Sequence, residues 1–130
     1  MLDTHFEFQI RVYSEDVDHM GIVYHANHLK FYERARAELM RTTGFSLLDL
    51  KRQGIQFAIY DVKINYLKPA RLDDMITIHT ICHKRRSTAL SFKQKMINQS
   101  GVHISDAAIG VVCVNDQMKP SRLPKSFNTK

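Results

Sequence analysis

The sequence predicts one long amphipathic helix among segments with strand periodicity, and this combination limits the folds that the chain can adopt. The apolar residues of the helix recur at three- and four-residue spacing, the pattern of a helix with one buried face. They are Leu29, Phe31, Tyr32, Ala35 and Leu39. We expect the helix to begin between residues 22 and 27 and to stop near Gly44, because glycine commonly follows the last helical turn.

Five other segments alternate apolar and polar residues, as half-buried strands do. They span residues 6–13, 55–66, 75–83, 89–97 and 102–115. The alternation changes parity between Ile59 and Tyr60, which predicts a bulge in that strand. Ser46, three residues before Asp49, predicts the cap of a short second helix.

The order of these elements predicts an α+β fold. A strand, a long helix and then four strands with short connections favour an antiparallel sheet with the helix packed on it. At 130 residues the chain suits a single domain, residues 1–130, with an irregular basic tail from about Gln117. One helix cannot cover about five strands, so we expect a dimer or a larger oligomer.

The cysteines and histidines argue against a metal site. Cys82 and Cys113 are too few for a disulfide framework or a four-cysteine zinc site, and their strand setting predicts inert, reduced thiols. His25 and His28 fit one helical face, but no third ligand follows at a recognised spacing. No G-x-S-x-G, G-x-G-x-x-G or P-loop motif is present. We therefore expect neither a metal nor another cofactor.

The charge and hydropathy patterns address partners and location. The chain has 19 Lys and Arg against 13 Asp and Glu, which indicates either an anionic partner or a solvated basic surface. The longest apolar stretch, residues 107–114, is too short to span a membrane, and the first residues lack a signal-peptide core. We expect a cytoplasmic protein with at most peripheral membrane contact, and no nucleic-acid partner, since no binding motif accompanies the charge.

The densest polar segment, residues 14–28, joins the first strand to the long helix. Asp16 and Asp18 lie there beside a helix N-terminus, whose N–H groups can polarise a carbonyl oxygen. A carboxylate next to such donors is a minimal apparatus for acyl transfer. The same pattern is typical of a polar loop with a capping acid, and the residues alone do not choose between Asp16 and Asp18.

Three motifs resemble one family over nearly the whole chain. Residues 11–36, which read RVYSEDVDHMGIVYHANHLKFYERAR, resemble the active-site signature of the hot-dog thioesterases, in the 4-hydroxybenzoyl-CoA thioesterase-like family. The chain also resembles the branch of this family that is associated with the Tol-Pal cell-envelope system. That resemblance extends to residues 66–74, YLKPARLDD, and to residues 118–126, MKPSRLPKS. The resemblance implies a hot-dog fold, with about five antiparallel strands wrapped around one long central helix.

The resemblance also implies an acyl-CoA thioesterase, which hydrolyses an acyl-CoA thioester to a free acid and CoA. Asp18 matches the catalytic residue, acting as nucleophile or as general base. His25 matches the helix start whose backbone N–H polarises the carbonyl, and its imidazole is a further candidate catalytic group. Gly21 and Tyr24 are candidate substrate-binding residues. Met20 is bulkier than is usual in this branch, which bears on the acyl chain accepted.

Coenzyme A carries phosphates, so basic clusters are candidate nucleotide sites. Arg85 and Arg86 form one cluster, Lys68 and Arg71 form another, and both are equally typical of solvated turns. The family implies a homotetramer, a dimer of dimers. Its Tol-Pal-associated branch implies acyl carrier protein or lipid-synthesis enzymes as partners. The alternative function is a non-catalytic acyl-binding or scaffold protein of that machinery.

Overall fold

The computed structural model describes residues 5–128 of the chain. Its elements are β1 (Phe6–Arg11), a 3₁₀ turn (Ser14–Asp16), α1 (His25–Arg41), α2 (Leu47–Arg52), β2 (Gln56–Tyr66), β3 (Met75–Arg85), β4 (Ala89–Ile97), β5 (His103–Val114) and α3 (Lys125–Asn128). The strands form one five-stranded antiparallel sheet around α1, so the predicted α+β hot-dog architecture is confirmed. Among the described residues, no helix has the length and apolarity required to cross a lipid bilayer.

The strand order β1-β3-β4-β5-β2 places β1 and β2 at opposite edges of the sheet. β3, β4 and β5 pair in succession across short turns, as predicted, whereas β2 pairs with β5 rather than with β3. The chain therefore crosses the sheet between β1 and β2, through α1 and α2, and returns along residues 67–74. The register of β2 shifts between Ile59 and Asp61, which confirms the predicted bulge.

The helices begin and end largely where the sequence indicates. α1 begins at His25, and the turn that follows it reaches Gly44, whose φ of 95° lies in the left-handed region that glycine adopts easily. At α2, the Ser46 hydroxyl accepts the Asp49 N–H and the Asp49 carboxylate accepts the Ser46 N–H, both at 3.1 Å. The predicted cap is therefore present as a reciprocal pair.

The buried face of α1 differs from the predicted apolar stripe. Leu29 is 37% exposed, whereas the polar residues His28 and Arg36 are buried. The buried residues of α1 are His28, Phe31, Tyr32, Ala35, Arg36, Leu39 and Met40. Hydropathy favours Leu29 over its neighbour, but His28 and Arg36 are tolerated inside because the sheet offers them hydrogen-bond partners.

A polar network crosses the otherwise apolar core between α1 and the sheet. Arg36 Nη1 donates to Gln94 Oε1 at 3.0 Å. Gln94 Nε2 donates in turn to the Tyr32 carbonyl at 3.0 Å and to Thr80 Oγ1 at 2.9 Å. Burial lowers the pKa of Arg36 from its usual value, because charge is disfavoured away from water. The network ties α1 to β3 and β4.

The tail departs from the prediction of an irregular segment. It is irregular as far as Pro124 but ends in α3, and Phe127 is fully buried. The Phe127 ring stacks on Phe57 of β2 with centroids 5.8 Å apart, and Leu123 is buried as well. The prediction was based on the polar and basic composition of the tail as a whole. It therefore missed Leu123 and Phe127, the two apolar side chains that pack into the core.

Candidate active site

The loop between β1 and α1 is held by backbone hydrogen bonds. A tight turn spans Asp18 to Gly21, where the Gly21 N–H donates to the Asp18 carbonyl at 2.9 Å. Gly21 has a φ of 78°, which glycine adopts without steric cost. The Asp18 N–H donates to the Ile22 carbonyl at 2.9 Å, and the Val23 N–H donates to the Ala70 carbonyl at 2.8 Å. The loop is therefore fixed both internally and to the connection that follows β2.

The two candidate acids have different surroundings. Asp16 Oδ2 accepts the backbone N–H of Tyr13 at 2.8 Å, which closes the 3₁₀ turn after β1. Asp18 Oδ1 accepts the Met20 N–H at 2.8 Å, and the Asp18 side chain lines a cavity that Asp16 does not reach. Asp16 thus holds the loop, while Asp18 faces open space.

This cavity, the Asp18 cavity, has a volume of about 440 Å³ and lies between the loop, the start of α1 and the end of β2. Its lining comprises Asp18, Met20, Ile22, Val23, His25, His28, Tyr66, Leu67, Lys68 and Pro69. A mostly apolar wall with a few convergent polar groups is typical of a small-molecule site, and the volume lies in the usual range for such sites.

Helix α1 begins at the Asp18 cavity, since its first residue, His25, lines it. The first N–H groups of a helix have no intrahelical acceptor. The Asn27 N–H donates to the Tyr24 carbonyl at 2.8 Å, which leaves the N–H groups of His25 and Ala26 without a backbone acceptor in residues 5–128. The helix dipole adds partial positive charge there. A carboxylate and the helix start that carries these N–H donors, which suit a carbonyl oxygen, therefore border one cavity.

Two further side chains, which the sequence motifs did not assign to the site, complete its wall. The Tyr66 hydroxyl donates to the His25 carbonyl at 2.7 Å, which ties the helix start to β2. His28 is buried, with Nδ1 3.1 Å from the Ser105 hydroxyl and its ring edge-on to Tyr66 at 4.9 Å. Their signals were present, because His28 follows His25 by one turn and Tyr66 opens the second family-like motif.

The environment of His28 keeps its imidazole neutral. Burial, together with the smaller effect of the nearby His25, lowers the pKa of His28 to about 4. Burial also raises the pKa of Tyr66. At neutral pH His28 and Tyr66 therefore line the Asp18 cavity as uncharged hydrogen-bonding groups.

Sequence and structural comparisons match this architecture to known proteins. A family model described as the thioesterase superfamily matches residues 20–105. The acyl-CoA thioester hydrolase YbgC of Escherichia coli O6:H1 is 42% identical over 128 residues, which cover 98% of this chain and 96% of that protein. The chain belongs to the thioesterase superfamily. Its class of activity is thus thioester hydrolysis.

Further relatives agree with this membership in sequence and in structure. The acyl-CoA thioesterase YbgC of Haemophilus influenzae is 38% identical over 127 residues, covering 96% of this thioesterase and 93% of that protein. The crystal structure of a probable thioesterase from Bartonella henselae superposes with a TM-score of 0.87 at 32% identity, over 93% of this chain and 100% of that one.

Two predicted substrate-binding residues of this thioesterase flank the Asp18 cavity and do not line it. Gly21 forms the turn next to Met20, and Met20 is the residue that reaches the cavity. Tyr24 is 49% exposed, and its ring centroid lies 4.4 Å from that of the His25 imidazole. Both residues shape the loop and the helix start that border the site.

The two predicted basic clusters lie at opposite ends of the sheet. β3 begins at Met75, which pairs with Arg11, the last residue of β1 before the β1–α1 loop. Arg85 and Arg86 lie at the other end of β3, roughly 30 Å along the strand at its usual rise per residue. Within a single chain, Arg85 and Arg86 therefore do not line the Asp18 cavity. Lys68 of the second cluster does line it.

Proposed function

We propose that this thioesterase hydrolyses acyl-CoA thioesters in the Asp18 cavity. The observation that carries the proposal is that the Asp18 carboxylate and His25, the first residue of α1, line one and the same cavity. The Escherichia coli and Haemophilus influenzae relatives are named for the hydrolysis of acyl-CoA thioesters, which supports the choice of substrate class.

The helix start supplies the electrostatic part of the proposed mechanism. The thioester carbonyl oxygen accepts the N–H groups of the first turn of α1, which stabilise the negative charge that develops when the carbonyl is attacked. Losing one such donor typically costs roughly 3–4 kcal/mol of transition-state stabilisation. The Tyr66 hydrogen bond to the His25 carbonyl holds this turn in place. Because a backbone group is the donor, the His25 imidazole acts at most as a second polar contact.

Asp18 supplies the reactive oxygen in this proposal. The Met20 N–H fixes Oδ1, and no described residue donates a hydrogen bond to Oδ2. Oδ2 either attacks the thioester carbon, giving an anhydride that water then cleaves, or takes a proton from an attacking water. In both routes the carbon–sulfur bond breaks, the CoA thiolate leaves and takes up a proton, and the free acid is released.

The walls of the Asp18 cavity indicate how the two halves of the substrate are held. Met20, Leu67 and Pro69 form an apolar side, which suits the acyl group. Met20 is 63% exposed, so a bulky side chain at the mouth limits the acyl chains that enter. Lys68 adds a positive charge at the same cavity, which suits a CoA phosphate.

An oligomer extends this proposal beyond one chain. The edge strand β2 exposes apolar side chains and has only β5 as a neighbour among the described strands. Pairing of β2 with a second copy satisfies this edge, and a dimer of dimers offers a way for Arg85 and Arg86 of one chain to meet CoA bound to another. Acyl carrier protein, whose acyl group is also a thioester, is an alternative donor for the same cavity.

The test is CoA release from a panel of acyl-CoAs, from short to long and aromatic, measured with a thiol reagent. We expect turnover of at least one acyl-CoA, with chain length selecting among the panel. An absence of turnover with every acyl-CoA, by protein with a folded circular dichroism spectrum, contradicts the proposal. An acyl-carrier-protein thioester assayed alongside separates the wrong acyl carrier from the absence of catalysis.

A further inference from the structure

A second cluster of polar side chains lies on the face of the sheet that points away from α1. His5, just before β1, and Glu7, within β1, are two residues apart, so their side chains share one face. His79 of β3 is the direct cross-strand partner of Glu7. One donor atom from each of the three side chains lies within 4.8 Å of the other two. The Asp18 cavity is lined by none of these residues.

The distances within the cluster approach those of a tetrahedral metal site. His79 Nδ1 lies 3.3 Å from Glu7 Oε1 and 2.7 Å from His5 Nε2. Zinc bonds to nitrogen and oxygen of about 2.0–2.1 Å place tetrahedral donor atoms roughly 3.3–3.4 Å apart. The His79–Glu7 spacing already matches this value. The His5–His79 spacing must open by about 0.6 Å to reach it, and the exposed His5 just before β1 has room to turn.

We propose that His5, Glu7 and His79 bind a divalent transition-metal ion of the zinc class, with water as the fourth ligand. Two imidazoles and one carboxylate form a mixed nitrogen and oxygen donor set, which suits Zn²⁺, whereas Mg²⁺ and Ca²⁺ prefer oxygen ligands. Three protein ligands and one open position are a common zinc arrangement. The ion takes the place of the proton that the His5 and His79 nitrogens share in their hydrogen bond, and this proton moves to the other nitrogen of its own ring, so that both imidazoles ligate in the neutral form.

The surroundings of the cluster determine how tightly it binds an ion and what a bound ion does to the sheet. The His79 side chain is only 18% exposed, so this ligand is already held by packing, whereas Glu7 is 59% exposed. Lys95 pairs with His79 across β3 and β4, and its positive charge opposes a cation, which Glu7 offsets. We therefore expect moderate affinity. Because the ligands come from β1 and β3, a bound ion clamps an edge strand to the sheet.

Zinc titration of the whole untagged chain, after treatment with a chelator, tests the proposal. Isothermal calorimetry with ZnCl₂ is expected to give one saturable site per chain, and MgCl₂ under the same conditions is expected to give none. Zinc is also expected to raise the melting temperature, because an ion that binds only the folded state stabilises it.

Two ligand variants and one matched control identify the residues. We expect His5→Gln and His79→Gln each to weaken zinc binding by at least about tenfold. His5→Gln is the safer variant for folding, because its side chain is exposed. His83→Gln, an exposed imidazole on the same strand as His79, is expected to keep wild-type affinity. Unchanged affinity in both ligand variants, or no saturable zinc binding by the folded wild type, overturns the proposal.

Discussion

Asp16 and Asp18 are two identical side chains in one loop, and hydrogen bonding gives them different surroundings. The Asp16 carboxylate is engaged by the Tyr13 N–H as part of the loop's own structure. The Asp18 carboxylate is oriented by Met20 and opens onto a cavity beside a helix N-terminus. The different roles proposed for the two acids thus follow from the backbone N–H groups that each one meets, and residue type alone does not reveal this.

The buried His28 makes a prediction about stability and pH. Its pKa is lowered from 6.5 to about 4, so the unfolded chain binds a proton more readily than the folded chain between these values. The stability that the neutral imidazole contributes is therefore complete above pH 6.5 and is lost as the pH falls towards 4. Integrated over this shift, the loss is about 3 kcal/mol. Urea denaturation of the wild type and of His28→Gln at pH 7 and pH 4 measures it.

The effect of His28 is measured as the difference between the wild type and His28→Gln, because other groups also titrate between pH 4 and pH 7. We expect the free energy of unfolding to fall more steeply for the wild type than for His28→Gln. Parallel pH dependences in the two proteins would show that His28 is not held neutral in the fold.

At the scale of elements, α1 and the sheet are joined by polar contacts as well as by apolar packing. Gln94 occupies the centre of this junction, because it accepts from Arg36 and donates to the Tyr32 carbonyl and Thr80. All four residues are buried. A buried polar group that loses its partner costs far more than an exposed one, so this junction depends on being complete.

Replacement of Gln94 by leucine is predicted to lower the free energy of unfolding by about 3 kcal/mol, since it removes the side-chain partner of the buried Arg36 guanidinium and that of the Thr80 hydroxyl. Gln9→Leu, on the exposed face of β1, is the matched control and is expected to change stability by no more than about 0.5 kcal/mol. Chemical denaturation of both variants measures the difference. Equal stabilities would mean that the network contributes little to the docking of α1.

The elements that the sequence predicted well are those specified by local patterns. The strand alternation, the Ser46 cap and the bulge after Ile59 each depend on neighbouring residues, and all are present. The pairing of β2 with β5, the burial of His28 in preference to Leu29 and the anchoring of Phe127 depend on partners distant in sequence. Such partners are set by tertiary packing, which single-sequence periodicity does not record.

The candidate site was predictable to a similar extent. The loop and helix start belong to one continuous motif, so Asp18 and His25 were accessible from sequence and do line one cavity. Tyr66 joins them from β2, and the His5–Glu7–His79 cluster joins β1 to β3. These residues meet only through sheet register, and no fixed spacing along the chain announces them.

At the scale of the whole molecule, β2 is the element that indicates assembly. It is an 11-residue edge strand with exposed Ile59, Tyr60, Val62 and Tyr66. A long apolar edge with unpaired backbone groups is a template for pairing with another chain. The proposed oligomer uses this edge, and Tyr66 connects it directly to the Asp18 cavity.

A charge on the β2 edge is predicted to shift the protein towards monomers. Val62→Lys places an ammonium in the proposed interface and is expected to reduce the mass measured by multi-angle light scattering and to lower thioesterase activity with it. Val102→Lys introduces the same charge at a similarly exposed valine in the β4–β5 turn and is expected to change neither. A monomeric wild type, or an unchanged mass for Val62→Lys, would exclude β2 as the interface.

The proposed mechanism is tested by the activity of Asp18→Asn measured beside that of Glu15→Gln, with the best substrate of the acyl-CoA panel. The two variants remove one negative charge each from the same loop, and Glu15 is exposed outside the Asp18 cavity. We predict that Asp18→Asn lowers kcat by about 10²–10⁴-fold, the usual contribution of a positioned acid or base, while its melting temperature and the kcat of Glu15→Gln stay near wild type. A folded Asp18→Asn enzyme with a near-normal kcat would show that the Asp18 carboxylate does not take part in catalysis.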